Sequence, residues 1–312
     1  HDIKRLLAYH SVENIGIIAL GLGIGLLGLS HGNAVVAFLG FAGGLLHVVN
    51  HAIFKSLLFF GAGSVLHSAG TREIDHLGGL LKKMPVTAAA FLTGSAAICG
   101  LPPFNGFVSE FFVYIGAFEG VSQGGLSTGV AIGGILAVTA LALIGGLAVA
   151  CFTKAFGIVF LGEPRSKHCE HAHVSCMSMR VPMIVLSLAC IAMGLCGFFI
   201  FGLMPNITGI LMAGSTFNPG TCELIASYRS ILLNVTLCAL ALIVVIGLLA
   251  LMRNRLMSGK LQQSAVTWDC GYLAPNARMQ YTASSFAQPI TKFFRTFLQT
   301  KRHVSAPEGF FP

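Results

Sequence analysis

The sequence predicts an all-α protein, a polytopic bundle of transmembrane helices, and three observations carry that expectation. The chain is 55% hydrophobic and only 10% charged, with a mean hydropathy of +0.81, whereas a soluble domain carries about 25% charged residues. Its apolar residues gather into six runs, at 11–30, 35–66, 85–118, 128–161, 181–203 and 229–252, and a crossing needs about 20 residues. Finally, six crossings place residues 1–10, 67–84, 162–180 and 253–312 on one side (side one), and these stretches hold sixteen of the nineteen Lys and Arg. Such a bias marks the cytoplasmic face. Residues 1–255 are therefore expected to form the bundle. The net charge of +8 reports topology and not nucleic-acid binding.

The first run carries Gly21, Gly23, Gly25 and Gly28, and the second carries Gly40, Gly43 and Gly44. Small residues at this density suit close helix packing in lipid. His10, Ser11, Glu13 and Asn14 give the first run a polar face near side one, with Lys4 just before it. Glu13 reads either as a relay group or as an end-of-helix ion pair with Lys4 or Arg5.

The second run holds the most informative phrase, His47-Val-Val-Asn-His51-Ala-Ile-Phe-Lys55. Intervals of four put the two histidines and the lysine on one helix face, about 6 Å apart along the axis. A charge at mid-bilayer costs about 2.5–3.5 kcal/mol on insertion scales, so such a row is not explained by stability. Histidine takes and releases protons near neutral pH, and the row reads as a proton route. The alternative is that Lys55 snorkels to the surface and the histidines bond neighbouring helices. Lys55 lies about 18 Å along a helix from the polar stretch at His67, beyond side-chain reach.

The third run is interrupted at Gly100-Leu-Pro-Pro-Phe-Asn-Gly106. Pro102 and Pro103 remove two backbone donors, and a freed backbone is tolerated at membrane depth only where protein or a wet cavity satisfies it. The phrase predicts a discontinuous helix, with a re-entrant loop or two half-spans joined by a turn as the alternative. Glu110, an isolated carboxylate among phenylalanines just after the break, is a candidate proton acceptor or a helix N-terminal carboxylate stabilised by the dipole. Lys154, about eight residues from the side-one end of the fourth run, is a secondary candidate.

The fifth and sixth runs carry no comparable charge. After residue 255 the chain turns polar, and Phe286, Ile290, Phe293, Phe294 and Phe297 recur at helical spacing with Lys292 and Arg295 among them. Within the tail, 256–312, this predicts an amphipathic helix on the membrane surface or against a partner subunit. The nine cysteines form no CxxC pair or regular framework. The loop His168-Cys-Glu-His171-Ala-His173-Val-Ser-Cys176 fits no zinc spacing. No metal and no cofactor is expected in this chain. Its first residue is His1, inside a basic helix-like phrase and without a signal-peptide pattern. The expectation is that an N-terminal part of a longer protein precedes it.

Taken together, Asp2-Ile-Lys-Arg-Leu-Leu-Ala-Tyr-His-Ser, the His47–His51–Lys55 row with Ser-Leu-Leu-Phe-Phe-Gly-Ala-Gly-Ser after it, Gly78-Gly-Leu-Leu-Lys-Lys-Met-Pro85 and Leu101-Pro-Pro-Phe-Asn-Gly-Phe-Val-Ser-Glu110 resemble the antiporter-like membrane subunits of respiratory complex I. The same pattern occurs in multisubunit sodium/proton antiporters and in membrane-bound nickel–iron hydrogenases. Phe160-Leu-Gly-Glu-Pro-Arg, Trp268-Asp-Cys-Gly-Tyr and Arg278-Met-Gln-Tyr-Thr-Ala-Ser-Ser-Phe-Ala look like the branch comprising formate hydrogenlyase subunit 3 and hydrogenase 4 component B. The resemblance implies the C-terminal part of an antiporter-like subunit, in the inner or cell membrane of a bacterium or archaeon, within a redox-coupled proton-pumping complex. Other membrane and peripheral subunits would be its partners, and the bilayer its surroundings. It further implies that Lys4, His47, His51 and Lys55 belong to a buried hydrophilic axis and that Glu110 is the charged position of the discontinuous helix. The family's Glu–Lys pair and its other broken helix lie further upstream and are not in this sequence, so the fragment in isolation is expected not to pump. A sodium/proton exchanger subunit, a complex I-type quinone oxidoreductase subunit and a transport-inactive anchor are the alternatives.

Overall fold

The computed structural model describes residues 2–122, 128–212, 218–260 and 279–299. Each apolar run becomes helix, and local chemistry sets the ends. α1 (Ile3–Ser30) starts earlier than its apolar run because Asp2 caps it, accepting from the Lys4 and Arg5 amides at 2.8 and 3.1 Å. Arg72 pairs with the same carboxylate at 2.7 Å and ties the helix start to the loop after α2. α2 (Ala34–Ala69) is capped by Asn33 and ends at Gly70, whose φ of +67° is the left-handed conformation that glycine adopts freely. A short helix, α3 (Leu80–Lys83), leads into α4 (Pro85–Ile98). The proline phrase then breaks the chain, and α5 (Asn105–Ser122) resumes beyond it.

α6 spans Thr128–Phe160 and α7 is a single turn, Lys167–Glu170. The fifth run is two helices, α8 (Met177–Leu195) and α9 (Gly197–Thr208), meeting at Cys196. α10 (Pro219–Met257) outruns its apolar segment at both ends, and its early start is set by Asn218, which caps it, and Pro219, which opens it. α11 (Ala283–Phe293) begins with a capping box between Thr282 and Ser285, and α12 (Arg295–Leu298) follows. The Ala283 amide donates to Asp75 at 2.7 Å, which docks the start of α11 on side one, while Phe293 and Phe297 stay exposed. The phrase Trp268-Asp-Cys-Gly-Tyr and Arg278 lie outside the described residues.

Among the described residues five helices, α1, α2, α6, α8 and α10, are long and apolar enough to cross a bilayer, and α4 with α5 forms the broken traverse. The chain is thus an all-α, multi-pass helical bundle with a discontinuous helix. Its axis is α2, which packs against α1, α4, α5, α8, α9 and α10. One apolar core, around Phe54, Phe91, Phe152 and Phe160, fills the side-one half, and a second, around Phe38, Phe112 and Phe201, fills the opposite half. Most of α10 from Leu240 onward keeps its apolar side chains exposed, as lipid-facing surface requires.

α1 and α2 form the most extensive helix pair, and they touch backbone to backbone. A Cβ on Gly21 would lie 2.9 Å from the Gly44 Cα, and one on Gly44 would lie 3.0 Å from the Leu22 amide nitrogen. Gly28 against Ala37 and Gly40 against Gly25 are closer still. Replacing Gly40 by leucine is expected to force the helices apart and destabilise the bundle by about 1–3 kcal/mol. A lowered thermal unfolding midpoint in detergent measures it, and an unchanged midpoint would contradict the close packing.

Candidate functional site

Between the two cores lies a line of buried polar groups from α1, α2 and α5. His47 is fully buried on α2. Its Nδ1 lies 2.9 Å from Ser109 Oγ on α5, and its Nε2 lies 3.1 Å from Asn14 Oδ1 on α1. The Asn14 amide nitrogen donates to the His10 carbonyl at 2.7 Å, so its oxygen faces His47. That orientation assigns a proton to His47 Nε2. Ser109 Oγ also accepts from the Asn50 side chain at 3.0 Å and lies 3.0 Å from the Gly106 carbonyl. Asn50 donates further to the Asn105 carbonyl at 2.8 Å.

This arrangement is satisfied in two protonation states. With His47 neutral, Ser109 donates to Nδ1. With a proton on Nδ1, the imidazolium donates to Ser109, whose hydrogen turns to the Gly106 carbonyl. One hydroxyl rotation separates the two, with no heavy atom displaced.

Two turns from His47, Lys55 is 6% exposed and donates to the Leu7 carbonyl of α1. It does not snorkel to the membrane surface. His51, between them, has a buried Nε2 that finds no hydrogen-bond partner among the described residues. Neighbours in the row lie within electrostatic reach of one another, His47 with His51 and His51 with Lys55. Lys4 sits half-buried in the first turn of α1, one turn before Leu7.

Glu13 pairs with His10 rather than with Lys4 or Arg5. It is also within electrostatic reach of both Lys55 and Glu110. Glu13 and His10 line an open cleft of about 460 Å³ with Asp2, Arg5, Cys151 and Lys154. The cleft therefore gathers Lys154 with Glu13 on the side-one half of the bundle.

Glu110 is half-buried in the second turn of α5, with its carboxylate folded back onto the break. A Cβ on Gly100 would fall 2.9 Å from the Glu110 Cδ, and Gly100 has a φ of +62°. Gly100 therefore supplies both the left-handed turn and the space for the carboxylate. Gly106 lets the first turn of α5 approach the Ala97 carbonyl of α4, and Gly194 of α8 lies flat against Pro103 and Phe104, where a Cβ would come 2.6 Å from the Phe104 carbonyl carbon. Pro102 is exposed and Pro103 half-buried in the connecting turn.

Asn50, Asn105 and Ser109 were not singled out by sequence reasoning. Their signal is faint: Asn50 lies inside the His47–Lys55 phrase, and Asn105 and Ser109 lie inside the phrase around Glu110. The His168–Cys176 loop packs on side one, with Cys169 buried against the His76 carbonyl at 3.4 Å. Among the described residues, no three His, Cys, Asp or Glu gather as metal ligands, and the eight cysteines are free thiols.

The chain is thus a multi-pass bundle built round a broken helix, with a buried His–Lys row beside the break. Comparison with known proteins shows what the chain is similar to: residues 1–139 match the family NADH:quinone oxidoreductase/Mrp antiporter, TM. The chain is 37% identical over 305 residues to formate hydrogenlyase subunit 3 of Escherichia coli, covering 98% of this chain and 48% of that protein. It is 36% identical over 315 residues to hydrogenase-4 component B of the same organism, covering 97% and 45%. The chain thus spans about half the length of these curated relatives. A solved structure of the membrane-bound sulfane sulfur reductase, an archaeal respiratory membrane complex, shares the fold at a TM-score of 0.66 and 24% identity, over 96% of this chain and 45% of that one.

Gly100→Ala is expected to strain the left-handed turn and displace the Glu110 carboxylate, lowering stability by about 1–2 kcal/mol. Chemical denaturation in detergent checks this, since an unperturbed variant would mean that the turn relaxes without cost.

Proposed function

We propose that this chain is the proton-conducting part of an antiporter-like subunit in a redox-driven membrane complex of the hydrogenase or formate hydrogenlyase type. Electron transfer takes place in partner subunits, and this chain holds and moves protons. The observation that carries the reading is the unbroken hydrogen-bonded line from the His10 carbonyl through Asn14, His47 and Ser109 to the broken end of α5. The kinship with formate hydrogenlyase and hydrogenase-4 subunits supports the choice of complex.

In this reading, protons enter at the side-one cleft, where Lys154, His10 and Glu13 meet. Side one is taken as cytoplasmic on the Lys and Arg bias. Glu13 passes charge to Lys55, which the Leu7 carbonyl holds in place one turn beyond Lys4. His51, with its unpartnered ring nitrogen, continues the row to His47. The Ser109 hydroxyl then turns and hands the proton on toward Glu110 at the break. A change of charge in the partner subunits shifts the protonation of the row electrostatically, because its members are close and poorly screened.

Lys55→Ala and Glu110→Ala, each made in the assembled complex in membrane vesicles, are expected to cut protons moved per redox turnover at least about tenfold while turnover survives. A pH-sensitive dye and the redox assay, run together, measure the ratio. An unchanged ratio in both variants would refute the reading. A sodium-dependent flux that persists without redox turnover would instead make the chain part of a sodium/proton exchanger.

A further inference from the structure

A second buried carboxylate lies outside the route described above. Glu119, on α5, is 7% exposed and accepts a hydrogen bond from the Tyr228 hydroxyl of α10, itself 8% exposed. Asn105, Phe112 and Glu119 recur every seven residues on α5, so they stack along one helix face with about 10.5 Å between successive members. The face thus runs from the central polar line, through one phenylalanine, to a carboxylate toward the opposite side of the bundle from side one.

Phe112 does not stand alone. Its ring packs edge-on against Phe201 of α9 at 4.9 Å, and Phe201 packs against Phe38 of α2 at 5.6 Å. All three are fully buried. An apolar aromatic plug therefore separates Asn105 and Ser109 from Glu119. A glutamine would make the same bond to Tyr228, so that bond alone does not call for a carboxylate here.

We propose that Glu119, positioned by Tyr228, is the outlet station of the proton route, and that Phe38, Phe112 and Phe201 form the gate before it. This rests on the reading of the central line as a proton route. A proton that passes the gate on water converts the Glu119 carboxylate to the acid. The acid then releases that proton to water on the far side, and the carboxylate left behind keeps the Tyr228 hydroxyl as its donor until the next proton arrives.

The test uses the assembled complex in vesicles and reads protons moved per redox turnover. Glu119→Gln retains a hydrogen-bond acceptor for Tyr228 and is expected to lower the ratio at least about tenfold, with Glu119→Asp recovering about threefold of that loss. An aspartate no better than glutamine would assign Glu119 a purely structural role and overturn the proposal. A wild-type ratio in Glu119→Gln alongside a collapsed ratio in Glu110→Gln overturns the outlet and leaves the central route standing. Wild-type ratios in both variants overturn both. Should Glu119→Gln fail to assemble, Tyr228→Phe decides, because it keeps the carboxylate and the ring; a wild-type ratio there overturns the proposal.

Discussion

The backbone contact between α1 and α2 is the constraint on which the rest depends. Helices that meet through Gly21, Gly25 and Gly28 on one side and Ala37, Gly40 and Gly44 on the other have little freedom to slide. That contact fixes register further along the pair, so that Asn14 comes level with His47 and the Leu7 carbonyl level with Lys55. Seven residues separate Leu7 from Asn14 and eight separate His47 from Lys55, as two antiparallel helices in steady contact require. With bulky side chains at the glycine positions the helices would stand further apart, and the histidine and lysine would lose their partners.

Those partners matter because a bilayer provides no substitute. In water, an unpaired imidazole or ammonium finds solvent; in an apolar interior it must find another protein group or remain uncompensated. The structure meets this demand with carbonyls, amides and hydroxyls far more than with opposite charges. Lys55 rests on a backbone carbonyl, and His47 rests on an asparagine and a serine. Neutral partners of this kind hold a titratable group in place without pinning it to one charge state, whereas a tight ion pair would favour the charged form. Glu13 with His10 is the exception, at the cleft, where the apolar environment ends.

Much of this was legible in the sequence, and the reasons for what was not are physical. The helical bundle follows from hydropathy. The His47–Lys55 row follows from spacing on a single helix, and the break follows from two adjacent prolines. Each is a local property. Asn50, Asn105 and Ser109 escaped because an asparagine or serine in a membrane helix usually bonds its own turn, as Ser187 and Thr236 do here. Whether such a residue reaches across to another helix depends on contacts 55 or more residues away in sequence, which no local pattern encodes. Glu13 meets His10 instead of Lys4 or Arg5, because a spacing of three places that pair on one helix face. Glu119 left one trace, its heptad spacing from Asn105 and Phe112, and that trace acquires meaning only once α9 and α10 are seen to cover it.

Gly194 has a wider consequence. Because α8 presses its bare backbone against Pro103 and Phe104, the interruption between α4 and α5 is clamped from behind. It is no loose joint. Any reorientation of α5 relative to α4 has to carry α8 with it, and α8 already bends into α9 two residues further on. Mechanical coupling between the interruption and the membrane half that holds Phe201 is thereby built into one glycine that bears no charge.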